Sequence, residues 1–217
     1  MNKELLLISA FIALSGLQVS AQTTPYFQQT VDHNIHVQLN DVDHELDAEI
    51  WTQYVNNSPD ELDYLWYHVW PNAYSSAQSA LAKQQFREGD LFLFYAMARD
   101  LGGMDGLDFK INGEAARWEF HYAHPDIVKV HLNTSLKPGE SIEINTPFQV
   151  RIPSGKISRL GHIGQSYQIT QWYPKPAVYD RDGWHEMPYV DQGEFYSEFG
   201  TFDVHITLPS NYTIGST

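Results

Sequence analysis

The sequence predicts an all-β protein, mainly an antiparallel β-sandwich or saddle-like sheet, with one short helix. Three observations carry this. Apolar and polar residues alternate with a period of two through residues 35–39, 45–55 and 199–208, as half-buried strands require. Turn clusters such as Asn56-Asn57-Ser58-Pro59-Asp60 interrupt the alternation at short intervals. A single stretch, residues 75–87, changes to helical spacing.

Taken in order, residues 35–39 and 45–55 form a hairpin about the turn at Asp41-Val42-Asp43. Residues 62–70 follow as a strand too rich in aromatics for an exposed edge. In the helix, Ser75 or Ser76 is placed to cap, Ala77, Ala80, Leu81 and Gln84 recur at helical spacing, and Gly89 ends it. Leu107 to Ile111 with Asn112-Gly113 gives a hairpin signal. Residues 117–122, 127–132, 141–144 and 148–152 read as further short strands, with Lys137-Pro138-Gly139-Glu140 as a tight turn. The strand at 199–208 has no partner left after it, so the domain is expected to be cut before its last strands.

Composition bounds the function. Hydrophobic residues make up 42% of the 217, enough for a substantial core. The formal charge of −14 argues against a nucleic-acid groove or an anionic membrane surface. The absence of cysteine removes disulfides, thiolate metal sites and a cysteine nucleophile. Residues 1–21 read as a signal peptide: Lys3, an apolar run over 5–17, and the small-residue cleavage site Val19-Ser20-Ala21. The run is too short to span a bilayer. The expected product is an exported domain, residues 22–217, periplasmic or secreted.

Chemistry concentrates between Gly164 and Tyr189. Residues 167–172 alternate as a strand with two differently lined faces, Pro174 and Pro176 stop the ladder, and Asp180-Arg181-Asp182-Gly183 turns. Trp172, Tyr173, Tyr179, Trp184 and Tyr189 interleave with Gln171, Lys175, His185 and Glu186, as in a pocket wall or an aromatic sheet edge. Standard catalytic motifs fail nearby. His44-Glu45 and His185-Glu186 lack the second histidine of a zinc helix, and Gly164-Gln165-Ser166 lacks the second glycine of a nucleophile elbow. The pairs His33/His36 and His121/His124 come without a third ligand, so no metal is expected on this segment. Asp180 with Asp182, and Glu194 with Glu198, read as solvated surface. Asn56-Asn57-Ser58 matches a glycosylation sequon.

Thr170-Gln171, the later run Phe199-Gly200-Thr201-Phe202-Asp203-Val204-His205-Ile206-Thr207-Leu208-Pro209, and the turn from Asn211 to Ser216 resemble the N-terminal domain of the zinc aminopeptidases of peptidase family M1. Tyr54 to Ser58 and Leu65 to Asn72 look like the opening hairpin of exported bacterial members. The resemblance covers residues 26–217. It implies a saddle-shaped β-domain that covers a thermolysin-like catalytic domain and performs no catalysis itself. It implies peptide substrate and the protein's own downstream catalytic domain as partners, and zinc as cofactor of that domain, where metal-activated water attacks the scissile carbonyl. By the same resemblance Gln171 lines the subsite for the substrate's N-terminus, with Trp172 and Tyr173 as neighbouring candidates. The run after Thr170-Gln171 departs from the common pattern, because residues 172–183 contain no Arg…Pro-Cys-Asp-x-Pro sequence. A reading of another class is a carbohydrate-binding β-sandwich in which Trp172, Tyr173 and Trp184 stack on sugar rings.

Overall fold

The computed structural model describes residues 26–193 and 195–216. The expected signal peptide lies outside them. Their strands are β1 (Thr30–Asn40), β2 (Glu45–Val55), β3 (Leu62–His68), β4 (Gly103–Asp105), β5 (Lys110–Ile111), β6 (Glu114–Ala115), β7 (Trp118–Phe120), β8 (Ile127–Leu136), β9 (Ser141–Arg151), β10 (Gly161–Ile163), β11 (Ser166–Gln168), β12 (Lys175–Pro176), β13 (Tyr179–Asp180), β14 (Gly183–Trp184) and β15 (Phe202–Thr207). One α-helix, α1 (Ala80–Glu88), and one 3-10 turn, Trp70–Tyr74, complete the elements. The fold is mainly β, as the alternation predicted.

Two sheets enclose the core. The larger runs β15-β1-β2-β9-β5-β6, with β4 also on β9, and the smaller runs β12-β3-β8-β7. Alternation decides which side chains turn inward. Val31, Ile35, Val37 and Leu39 of β1, Ile50 and Tyr54 of β2, and Ile144, Phe148 and Val150 of β9 are buried. They meet Leu65 and Tyr67 of β3 and Val128 and Val130 of β8 in one apolar cluster. Tyr67 packs edge-on against Phe109 at 5.1 Å within it.

Several boundaries differ from expectation, each for a physical reason. The third strand stops at His68 because Pro71 has no backbone donor and the chain tightens into the 3-10 turn. The strands expected at 141–144 and 148–152 are one strand, β9, with Pro147 inside it. Asn112 N donates to Glu143 O, and Glu143 N to Asn112 Oδ1, so odd-numbered residues of β9 point their amides away from β2. Pro147 shares that parity and falls between the positions paired by β4 and β5, where no ladder bond is lost. Pro176 likewise lies within an edge strand: Ala177 N donates to Trp66 O, so position 176 faces outward.

β15 also has a partner, contrary to the expectation of none. It pairs in parallel with β1, His33 to Gln38 against Phe202 to Thr207. The helix is capped by Ser79 rather than Ser75 or Ser76. The Ser79 side chain accepts from Ala82 N at 3.1 Å, and Gly89 closes the other end in the left-handed region at φ 90°. Ser79→Ala is expected to cost about 1 kcal/mol in urea unfolding. An unchanged midpoint would refute that role for the cap.

Asn56 is wholly buried and ties two turns together. Its Nδ2 donates to Asp60 O and Leu136 O, and its Oδ1 accepts from Ser58 N and Oγ. The sequon at this position is therefore structural, with its amide already committed.

Candidate functional site

The strand expected over 167–172 is only Ser166–Gln168, because β10 opposite is three residues long. The chain then bends. Gln171 adopts φ 52°, the left-handed region that non-glycine residues rarely enter. The bend turns the chain into a buried run from Pro174 to Val178 that joins the edge of β3.

Lys175 occupies the middle of that run and is 5% exposed. Its Nζ donates to Gln171 Oε1 at 2.5 Å and to Ser197 Oγ at 2.9 Å. It also lies 4.1 Å from the centre of the Trp70 ring, on whose plane His68 stacks at 4.5 Å. Burial lowers the lysine pKa to about 7. Burial, reinforced by Lys175, holds the His68 imidazole down to about 3. His33 is lowered to about 4, chiefly by burial, and its Nδ1 meets Thr52 Oγ1 at 3.0 Å. Burial thus disfavours the charged form of all three basic groups.

Gln171 therefore has its side-chain carbonyl held by a buried amine. Among the described residues its Nε2 meets no protein acceptor, and the residue is half-exposed. A fixed amide that still offers two N–H donors is suited to a ligand carbonyl. Trp172 and Tyr173 pack against the apolar core. Trp172 packs on Phe148 at 5.9 Å, and Tyr173 lies against His33 at 5.5 Å and Phe202 at 5.8 Å. Trp184 belongs to a different group, with Tyr179 at 4.9 Å and Tyr64 at 6.0 Å. The three rings proposed for sugar stacking do not make one platform.

A second polar group adjoins. Asp180 Oδ1 meets His185 Nε2 at 2.8 Å, and Tyr196 Oη donates to Asp180 Oδ2 at 3.0 Å. Glu198, expected on the solvated surface, is half-buried, and burial raises its carboxyl to about 7. Lys175 as the anchor of Gln171, and Ser197 beside it, were not singled out from the sequence, and Glu198 was read only as surface. The available signal was a lysine between two prolines in an otherwise apolar run. Two surface depressions, one bordered by Asn112, Asn133 and Ser141 and the other by Arg159, Gln192 and Phe195, do not include Gln171.

No family model matches the chain, and neither does any curated protein. Among solved structures, it is similar to an M1 zinc metallopeptidase from Deinococcus radiodurans at 13% identity, TM-score 0.36, over 58% of this chain and 21% of that one. A variant of a two-domain M1 zinc metallopeptidase bound to L-arginine gives 15% identity, TM-score 0.44, over 84% and 33%. A Legionella pneumophila protein with a proposed role in nutrient binding gives 9% identity and TM-score 0.34 over 57% and 40%. The chain thus spans a fifth to a third of the metallopeptidases' length. Among the described residues no three His, Asp or Glu side chains converge as metal ligands. A catalytic zinc of that kind does not fit the Gln171 cluster, whose nearest bases are a buried lysine and a buried imidazole.

Proposed function

We propose that this chain is the substrate-facing β-domain of an exported zinc metallopeptidase, forming one wall of the subsite that receives the N-terminus of a peptide. The zinc and the catalytic groups belong to a catalytic domain of the same protein. The observation that carries the reading is the fixed amide of Gln171: a left-handed bend presents it, and Lys175 Nζ holds its carbonyl. That position is also the glutamine of the Thr-Gln pair on which the sequence resemblance rests.

Gln171 acts here by orienting the substrate. Its Nε2 donates to a peptide carbonyl near the substrate's N-terminus, while the second lone pair of Oε1 remains open to an ammonium. Because Lys175 already restrains the side chain, little rotamer entropy is lost on binding. The net charge of −14 favours approach of a cationic peptide end.

Gln171→Ala in the full-length protein is expected to lower kcat/KM for peptides about tenfold or more, the worth of a hydrogen bond to a charged or strongly polarised group. Gln171→Glu retains an acceptor for Lys175 and controls for loss of that contact. Unaltered turnover in Gln171→Ala, with a lowered melting temperature, would assign Gln171 to packing and refute the subsite role.

A further inference from the structure

We propose that His36 and His205 form a two-imidazole binding site for a late first-row divalent metal ion, with Asp203 as third donor. The two histidines are 169 residues apart in sequence, and the parallel pairing of β1 with β15 sets them directly opposite each other. Both are exposed on the outer face of the larger sheet. Their ring centres stand 4.6 Å apart with planes tilted by 58°.

These distances suit a shared ion. An imidazole nitrogen about 2.0–2.1 Å from a metal places its ring centre about 3.2 Å from that metal. Two such rings at angles between square and tetrahedral stand roughly 4.5–5.2 Å apart. Asp203 Oδ1 lies 3.4 Å from His205 Nε2. That is long for a charge-assisted hydrogen bond, about 2.7–2.9 Å, and close to the ~3.3 Å between two donors on one tetrahedral ion. Among the described residues no three ligands already converge, and on this proposal the three side chains reorient as the ion binds.

The surroundings agree with this. On the other side of His36, Glu49 of β2 occupies the paired position and accepts from Asn145 Nδ2 at 3.2 Å, fixing a negative charge beside the site. Asn34 and Gln38 follow on the same face of β1 by alternation. Two imidazoles and a carboxylate favour zinc, copper or nickel over magnesium or calcium. The other close imidazole pairs have a different geometry. His44 and His162 stack at 3.7 Å with planes 19° apart, and both Nδ1 atoms are engaged, by Tyr167 Oη and Gly164 O. His121 and His124 stack at 15°. Nearly parallel rings direct their lone pairs alongside one another and not toward one point.

The test uses full-length, tag-free protein titrated with Cu²⁺ under equilibrium dialysis. His36→Gln and His205→Gln are each expected to bind one equivalent less than wild type, and Asp203→Asn to weaken that equivalent about tenfold. A His44→Gln/His162→Gln double variant should bind as wild type does. Trp51, 5.4 Å from His36, supplies a local readout, since Cu²⁺ at the site should quench its fluorescence. A measurement on the wild type needs no variant to fold: Zn²⁺ should protect His36 and His205 together from diethyl pyrocarbonate. Equal copper stoichiometry in wild type and both single variants, or no protection of the pair, would overturn the proposal.

Discussion

Lys175→Met should make the folded protein more stable at pH 7 and flatten its response to mild alkali. Burial lowers the lysine pKa from 10.5 to about 7. Between those values the unfolded chain binds more protons than the folded one, so stability rises with pH across the window. From pH 7 to about 9.5 the expected gain is on the order of 3 kcal/mol. Methionine fills the same space, keeps a favourable contact with the Trp70 ring and has no charge to desolvate. Gln171 and Ser197 lose a donor, but both are half-exposed and water replaces it. Urea unfolding at the two pH values tests this, staying below the range where Tyr54, Tyr67 and Tyr74, all raised by burial, act with the opposite sign. A wild-type protein whose stability does not rise over the window would mean that the ammonium is solvated. The same substitution frees the Gln171 side chain, so activity should fall even as stability rises.

Gly200→Ala should release β15 from β1. A Cβ at this position would run into the backbone carbonyl of Val31, and no side-chain rotation can relieve a clash with main chain. The neighbouring bonds depend on that approach: His33 N donates to Thr201 O at 2.8 Å, and Thr201 N and Oγ1 donate to Asp32 Oδ1 at 2.7 and 2.8 Å. Overpacking and lost bonds together are expected to cost about 3 kcal/mol or more. The Asp32 carboxyl is the reporter. The bonds from the Thr201 backbone and side chain hold its pKa below the ordinary value, and it should return upward in the variant. Wild-type amide protection at His33, with an unmoved Asp32, would show that the backbone yields at little cost.

Much of the fold was legible because it follows from local chemistry. Period-two alternation marked β1 and β2, Asn112-Gly113 marked its hairpin, and Gly89 marked the end of the helix. What escaped depends on neighbours distant in sequence. Pro147 is tolerated in β9 only because β4 and β5 leave a gap beside it. The partner of β15 lies near the start of the described chain. Gln171 was singled out through the Thr-Gln pair, but its contact with Lys175 was not. A lysine is read as exposed until packing brings Trp70, Ser197 and a glutamine carbonyl around it. Glu198 was misread for the same reason, since its burial depends on packing beside the backbones of Gln29 and Tyr179, far from it in sequence.

The β1–β15 pairing has a consequence for the newly made chain. β1 is synthesised early, yet the strand that covers its outer edge follows 169 residues later. At about 5–20 residues per second, that interval is on the order of ten seconds or more. Throughout it the edge of β1 stands open, bearing Val31, Ile35 and Val37 on one face and no lysine or proline to discourage another strand. The vulnerable species is thus the partly synthesised chain, and agents that shield extended strands would act on it during those seconds.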